Sequence, residues 1–401
     1  MALACGMVLA GRRTVVAMAA AAGMAERFRR ACWFFSGAVW DADDLGLAVA
    51  RLAVNWLLSE SDPVTVAVDG TFFRRWGRMV FQARWAYDGS AQGGKKVAFG
   101  NTWVVAAVVL KLPFCSSPVA LPVLFRLWHG GTASQVELAA QMLKILARAF
   151  PGRAVHGTGD AAFHGEPLVI EGTTWTTRLP ANAVLHGPRP PRTGKRGRPR
   201  AKGARLGTCA EIAAAASWQD TVIHAYGQDT AVQVFSCEAL WYGSFKSAPG
   251  RLVLVRGPHS GKPYDLGLFT LDTGASAEAT AERYSWRWPI EPSNATGKQL
   301  LGAGDACNRT EKAVERTVPF AFLVQSLLIV WYARHACSPA DVERRRLLCP
   351  WYRTKTEPSP ADMLAALRRE FLKARFSLIR PGQDWLDQID GYSWTCDTPA
   401  A

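Results

Sequence analysis

The chain has 401 residues, of which 49% are hydrophobic and 20% are charged, so it can bury a large core and belongs to the globular rather than the disordered class. Its formal net charge of +14 at pH 7 favours an anionic partner, with nucleic acid ahead of an anionic membrane, although a merely basic soluble enzyme is the alternative. The nine cysteines include no C-x-x-C pair, which argues against a zinc ribbon and a disulfide framework and favours reduced thiols in a cytoplasm.

Helical patterns dominate residues 1–60. Apolar residues return at helical spacing through DDLGLAVARLAVNWLL, where Asp44 is a start signal. Arg12 and Arg13 precede a short Ala-rich run, as in a twin-arginine export signal. Because that run continues into Glu26 and several arginines, we expect an ordinary helix instead.

The next segments alternate between strand and helix patterns. Runs rich in β-branched and aromatic residues predict four strands, at residues 64–69, 79–87, 102–112 and 120–128. Residues 132–150 predict an amphipathic helix that Thr132 or Ser134 can cap, and residues 153–159 predict a strand that ends at Asp160. This order indicates a mixed α/β (α+β) arrangement.

Residues 189–205 break the pattern with no acid and eight basic side chains: Arg189, Arg192, Lys195, Arg196, Arg198, Arg200, Lys202 and Arg205. Proline and glycine fill most of the rest, so we expect an exposed basic loop. Residues 196–199 spell RGRP, the core of an AT-hook that enters the minor groove of DNA. A loop that binds phosphates without sequence preference is the alternative, and we prefer it.

Strand-like pieces follow at residues 231–241 and 251–256, and helical patterns return at 276–286, 312–334 and 359–376. The most apolar run, residues 321–332, is too short to span a bilayer and predicts a buried helix. We therefore expect no membrane segment.

Four residues of unusual chemistry fall near one helical stripe: Tyr284, Arg287, Glu291 and Lys298. At about 100° per residue, the last three lie near 300°, 340° and 320° from the first. Such a stripe suits a metal-binding carboxylate flanked by phosphate-binding groups. The alternative is a solvated face with an i, i+4 ion pair. Pro289 and Pro292 also predict that the helix kinks or begins only near Glu291.

The spacing Y-(2)-R-(3)-E-(6)-K of these four residues resembles the signature of a large group of insertion-sequence transposases in the DDE, RNase H-like superfamily. Upstream, VAVDGT and GTGDAAF resemble the segments in which that family carries its two aspartates, and they supply Asp69 and Asp160. The similarity covers roughly residues 60 to 335. The long gap before Glu291 resembles members that carry a β-rich insertion.

The resemblance implies an RNase H-like mixed-sheet core in which Asp69, Asp160 and Glu291 are catalytic and hold two Mg²⁺ ions, with Mn²⁺ as a possible substitute. Two such ions about 4 Å apart stabilise the attacking and leaving oxygens of a phosphodiester, and hard carboxylate oxygens suit them. The implied reaction is cleavage at the element ends, followed by transfer of the freed 3′-OH into target DNA. A homodimer would pair two ends in the nucleoid of a bacterial cytoplasm.

The DNA-contacting residues implied by the resemblance are Tyr284, Arg287 and Lys298, which would grip phosphates, because arginine offers a bidentate fork and lysine a point charge. Trp286 or Trp288 would stack on an unpaired base, while the other would belong to the core. In the basic loop we expect DNA contacts from Lys195, Arg196, Arg198 and Arg200.

We divide the chain into five regions: a helical region at 1–60 for DNA contact or dimerisation, the first part of the core at 61–170, a β-rich insertion at 171–274, the second part of the core at 275–335, and a C-terminal helical region at 336–401.

The acids that compete with Glu291 for the role of third metal ligand are Asp88, Glu166, Asp305 and, above all, Glu282. The histidines at 129, 156 and 164 lack paired zinc spacing. Two other functions stay open: a transposase-derived DNA-binding protein that no longer cuts, and a metal-dependent nuclease that does not join strands.

Overall fold

The computed structural model describes residues 1–89, 91, 96–191 and 200–379, with side chains up to residue 374. The strands are β1 (Val64–Arg74), β2 (Arg84–Tyr87), β3 (Val97–Leu110), β4 (Val119–Trp128), β5 (Val155–Gly159), β6 (Thr173–Arg178), β7 (Leu185–His186), β8 (Arg205–Gly207), β9 (Gln219–Ala225), β10 (Gln228–Ala239), β11 (Gly250–Arg256) and β12 (Leu266–Thr270). The helices are α1 (Ala2–Leu9), α2 (Val15–Ala21), α3 (Phe28–Ser36), α4 (Ala42–Leu57), α5 (Gln135–Ala149), α6 (Cys209–Ala214), α7 (Tyr242–Phe245), α8 (Ala277–Ser285), α9 (Ile290–Gln299), α10 (Glu311–Trp331), α11 (Pro339–Leu348) and α12 (Pro360–Ile379).

The central part of the large sheet is mixed and has the strand order β4-β3-β1-β5-β6. β1, β3 and β4 form an antiparallel meander, whereas β1, β5 and β6 run parallel to one another. The helix α5 joins β4 to β5, as the connection to a parallel strand requires. Three antiparallel strands followed by a helix and two parallel strands make an RNase H-like core, which confirms the predicted mixed α/β fold class.

The same sheet continues through the segment that was predicted as an insertion. β6 pairs with β12, and β11, β10 and β9 follow in antiparallel order. β6 itself lies inside the predicted insertion range of 171–274, yet it is the fifth strand of the core because it pairs with β5. β7 and β8 form a separate two-stranded sheet on either side of the basic loop.

Local sequence signals account for several boundaries. The helix α5 begins after Ser134, whose hydroxyl accepts from the Glu137 amide while the Glu137 carboxylate accepts in return, a complete capping box. The predicted strand at 79–87 is shorter than expected, since only β2 forms and residues 78–83 are largely turns. The α4 helix begins after Asp41 rather than at Asp44, because the Asp41 carboxylate accepts from the Asp43 amide.

The helix α10 is the central core helix. It packs against α4, β4 and α9, and residues Glu311–Ala336 are long and apolar enough to cross a membrane by composition alone. However, 78% of that apolar window is buried inside the protein, so it packs as the buried helix that was predicted for residues 321–332. Within the described part of the chain, the cysteines are all free thiols.

Candidate active site

Asp69 and Asp160 occupy matching places on neighbouring parallel strands. The register of β1 and β5 pairs Val68 with Gly159; Asp69 is the next residue of β1, and Asp160 directly follows the last residue of β5. Adjacent strands lie about 4.8 Å apart, and residues that share a register position point to the same face of a parallel sheet. The pairing therefore places the two carboxylates side by side. The Asp160 carboxylate also accepts from the backbone amide of Ala162 at 2.9 Å, which fixes its orientation.

Glu291 reaches the same region from the first turn of α9. This helix is anchored to the sheet because the Ser293 hydroxyl donates to the Ala120 carbonyl at 3.0 Å. One turn beyond Glu291, the Asn294 side-chain amide donates to Oδ2 of Asp69 at 3.4 Å. The Glu291 carboxylate itself accepts from Nη2 of Arg287 at 2.8 Å.

The electrostatics of Asp69 show that these groups act on one another. Burial raises the pKa of Asp69 to about 6, and the nearby charges of Asp160 and, more weakly, Glu291 push it the same way. The guanidinium of Arg287 opposes this rise. Burial tends to lower the pKa of Arg287, but its hydrogen bond to Glu291 and its anionic neighbours raise it overall. The site thus combines the carboxylates with the positive charge of the Arg287 guanidinium.

The prediction that Tyr284, Arg287, Glu291 and Lys298 form a stripe on one helix is wrong, because these residues do not lie on one helix. The helix α8 ends at Ser285, and α9 begins only at Ile290. The residues between them form a tight turn of i→i−3 hydrogen bonds, in which the Ile290 amide donates to the Arg287 carbonyl. Pro289, which has no amide hydrogen, immediately precedes α9 and explains why the two helices do not fuse.

Each residue of the stripe nevertheless stays close to the carboxylates. Tyr284 is buried at the end of α8, and the Arg287 guanidinium lies 6.0 Å from the centroid of its ring. Lys298 lies in the last turn of α9, with its Nζ 5.1 Å from the centroid of the Phe73 ring. Burial lowers the pKa of Lys298, while the charge of Asp69 opposes that change.

The other predicted DNA contacts differ in position. Trp288 is half exposed, whereas Trp286 packs against a small core cluster that contains Ile290, as the division into one functional and one core tryptophan requires. Arg200 is exposed. Lys195, Arg196 and Arg198 lie outside the described residues, as does the RGRP segment.

The rival acids are engaged elsewhere. Glu282 accepts from the backbone amide of His224 in the strand β9. Asp88 forms a 2.7 Å ion pair with Arg74, and Asp305 accepts from the backbone amide of Arg13. These contacts tie the carboxylates of Glu282, Asp88 and Asp305 to other partners, whereas the charge of Glu291 acts on Asp69.

The donor set fits a divalent cation in kind, because it consists of hard carboxylate oxygens whose charges act on one another. It does not form a closed cage: within the ranges that the structure describes, no three His, Cys, Asp or Glu side chains stand close enough to hold a metal ion. The ion pair between Arg287 and Glu291 accounts for this geometry, since it directs the glutamate to the guanidinium.

Asn294 is a site residue that the sequence analysis did not single out. Its side chain is buried, and no described donor lies within hydrogen-bonding distance of its Oδ1. A buried polar atom without a partner is costly and is concentrated at functional sites. Only one signal in the sequence marks it: asparagine is a poor residue for the interior of a helix.

An RNase H-like sheet with aspartates at matching places on neighbouring parallel strands defines the class of DDE-type nucleases. The chain belongs to the DDE superfamily endonucleases, whose family model matches residues 2–238, more than half of the 401 residues. The match includes Asp69 and Asp160 and ends before Glu291.

No curated protein sequence matches the chain. Among solved structures, the chain is similar to the piggyBac transposase in its synaptic complex with hairpin DNA, with 13% sequence identity and a TM-score of 0.39. That similarity covers 85% of this chain and 59% of the piggyBac chain, so the protein spans somewhat more than half of that transposase.

Proposed function

We propose that this DDE endonuclease is a DNA transposase that cleaves DNA at the ends of its element and transfers the freed 3′-OH into target DNA. The observation that carries the proposal is the convergence of Asp69 and Asp160 at matching strand positions, with Glu291 presented beside them by α9. The rise in the pKa of Asp69 supports it, because that rise arises partly from the two other carboxylates.

Asp69, Asp160 and Glu291 would hold two Mg²⁺ ions, for which Mn²⁺ can substitute. Bound there, the ions would supply a nucleophile at neutral pH and stabilise the charge on the attacking and leaving oxygens. The role of the chain is to fix the two aspartates on rigid strands and to bring Glu291 from the adjacent helix. For Glu291 to serve as a ligand, its carboxylate must leave Arg287.

The residues around the carboxylates suit the phosphates of a DNA end. Arg287 carries a planar fork of donors, one of which binds Glu291. Lys298 contributes a second cation from the last turn of α9. Phosphate oxygens can replace the carboxylate on Arg287. The net charge of +14 favours DNA as the partner, and we propose a homodimer that pairs two ends.

The test is cleavage of DNA that carries the element's own ends, in Mg²⁺, by the wild type and by Asp69→Asn, Asp160→Asn and Glu291→Gln. Each variant should lose cleavage by at least about a hundredfold while DNA binding persists. Glu282→Gln is the matched control, since that carboxylate accepts from the His224 amide in the strand β9, and the variant should still cut.

A second assay separates cleavage from joining. Pre-cut DNA with a 3′-OH end is supplied together with target DNA, and joined products are measured. A wild type that cuts but never joins indicates a nuclease, and one that binds without cutting indicates an inactive DNA-binding protein. Cleavage that survives Glu291→Gln but not Glu282→Gln would refute the assignment of the third carboxylate.

A further inference from the structure

A basic and aromatic cavity of about 640 Å³ opens where β1 ends and β2 and β3 pair beside it. Its main lining residues are Arg74, Arg75, Trp76, Arg78, Trp85 and Phe99. We call this feature the Trp76–Trp85 surface. Among the described residues that line it, none is acidic.

The two tryptophans of this surface are unusually exposed. Trp76 is 93% exposed and Trp85 is 72% exposed, although tryptophan is a side chain that proteins normally bury in large part. Trp85 is held in place by its cross-strand partner Phe99, with ring centroids 5.9 Å apart. Exposed rings that are fixed by neighbours cost little entropy when they bind a flat partner.

The three arginines differ in how they are held: Arg75 is buried, Arg74 is ion-paired with Asp88 through Nε, and Arg78 is exposed. Arg75 is buried and donates to the Asn101 side chain and to the Gly304 and Ala306 carbonyls, so it fixes the floor of the surface. The Arg74 side chain is half exposed, and Arg78 is exposed. The surface therefore presents positive charge between two aromatic faces.

The Trp76–Trp85 surface adjoins a second cavity, since Arg74 lines both. Phe73, Lys298 and the acids Asp88 and Asp305 also line this second cavity, which reaches the last turn of α9. Asp69 and Arg74 are five residues apart on β1, a distance of about 17 Å at 3.4 Å per residue, and this odd spacing turns their side chains to opposite faces of the sheet.

We propose that the Trp76–Trp85 surface binds unpaired nucleotides of the DNA strand beyond the cleaved phosphate. Trp76 and Trp85 would stack on bases, and Arg74 and Arg78 would contact phosphates. Stacking on an exposed indole requires a free base face, which unpaired DNA offers and an intact duplex does not. This inference rests on the proposed function for its location near the cleaved phosphate, but binding at the surface does not depend on catalysis.

The test is equilibrium binding by fluorescence anisotropy, without metal and at fixed salt, to a single-stranded oligonucleotide and to a blunt duplex of the same sequence. The full chain is compared with Trp76→Ala, Trp85→Ala, Trp76→Phe and Arg78→Ala. Trp351→Ala is the matched control, since Trp351 is 71% exposed and belongs to the connection between α11 and α12.

Each Trp→Ala variant should weaken binding of the single strand about tenfold and binding of the duplex by less than about twofold. Trp76→Phe should restore most of the loss, Arg78→Ala should lower the salt dependence for both DNA forms, and Trp351→Ala should bind normally. Equal losses for both DNA forms, or no loss at all, would overturn the proposal. The proposal would also be overturned if the Trp→Ala variants changed their oligomeric state on gel filtration but bound DNA normally. That result would assign the surface to contacts with a second copy of the chain.

The metal-free design keeps this result separate from the proposed function. If the carboxylate variants still cut DNA, the active-site proposal fails while selective binding of single strands stands. If the carboxylate variants lose cleavage but the Trp→Ala variants bind single strands normally, only the inference about the Trp76–Trp85 surface fails.

Discussion

Arg287 donates from Nη2 to Oε1 of Glu291 at 2.8 Å, and its guanidinium also lowers the pKa of Asp69 against the effect of burial. The arginine thus interacts with a helix-borne carboxylate and a strand-borne carboxylate at once. In this arrangement it supplies the positive charge that limits repulsion among the acids. Removal of the Arg287 guanidinium should therefore raise the pKa of Asp69 and also leave Glu291 without this hydrogen-bond donor.

Arg287→Gln should lower cleavage by at least about tenfold and should move the acidic limb of the pH–rate profile to higher pH. The reason is that the loss of the guanidinium removes the charge that holds down the pKa of Asp69. Arg287→Lys keeps the charge and should leave the limb in place while weakening DNA binding, because lysine lacks the planar fork. Identical limbs in the wild type and in Arg287→Gln would contradict this role.

Much of the fold follows from local sequence patterns. A helix cap at Thr132 or Ser134, the apolar run of β3 and the strand before Asp160 were predicted because each signal lies within a few residues of its effect. The pairing of β6 with β12 was not predicted, since it joins residues almost a hundred positions apart, such as Arg178 and Leu268. An alternating pattern identifies a strand but not its neighbour.

The site shows the same limit. Asp69, Asp160 and Glu291 were selected through a family resemblance. Strand register places Asp69 beside Asp160, and the charge of Glu291 acts on Asp69, but among the described residues the three carboxylates do not form a metal-binding group. The predicted single helix through Tyr284 and Lys298 was wrong, because α9 begins only after Pro289. Asn294 and Trp76 carry no motif, and only the three-dimensional structure reveals their positions near other functional groups.

Asp69→Asn should stabilise the folded chain at neutral pH in the absence of metal. Because the folded-state pKa of Asp69 is raised to about 6, its contribution to stability is fully present below the ordinary value of 3.8 and is lost as the pH rises through about 6. A rise in the pKa from 3.8 to about 6 corresponds to a gain on the order of 3 kcal/mol for the neutral amide above pH 6. Urea unfolding at pH 4 and pH 7.5 should show the gain only at the higher pH.

The control for this prediction is Glu171→Gln, a change at an exposed carboxylate, which should alter the free energy of unfolding by less than about 0.5 kcal/mol at either pH. Mg²⁺ should also stabilise the wild type more than Asp69→Asn, since the variant lacks one carboxylate. An Asp69→Asn variant that is less stable than the wild type at pH 7.5 would show that burial and the neighbouring charges do not destabilise the ionised Asp69 carboxylate.

Asn294→Ala should reduce cleavage about ten- to a hundredfold, the usual effect of removing a group that orients a metal-binding carboxylate. The variant loses the 3.4 Å hydrogen bond to Asp69 and the buried oxygen beside it. Asn308→Ala is the matched control, because Asn308 donates to the Ala313 carbonyl and to Thr317, in contacts that do not involve the carboxylates. Equal loss of activity in the two variants would indicate a general effect on folding.

The position of α9 depends on a close approach between Gly297 and Phe322 of α10. A Cβ atom at Gly297 would lie 2.2 Å from Cε1 of Phe322, far inside normal contact distance. Phe322 cannot move aside easily, because it is fully buried, stacks on Phe125 at 5.5 Å and meets Phe73 edge-on at 6.2 Å. Glycine is therefore required here by packing, although it weakens the helix itself.

Gly297→Ala should lower the free energy of unfolding by about 1–3 kcal/mol, even though alanine is the better helix former by about 1 kcal/mol. Urea denaturation measures this change, and Gly243→Ala in α7 is the control, since nothing lies within 4 Å of the added methyl group there. At a temperature where Gly297→Ala remains folded, its cleavage rate should still fall, because α9 carries both Glu291 and Asn294 and must shift to relieve the clash. Unchanged stability and cleavage in this variant would mean that α9 is not fixed by α10, and the site geometry would then need another support.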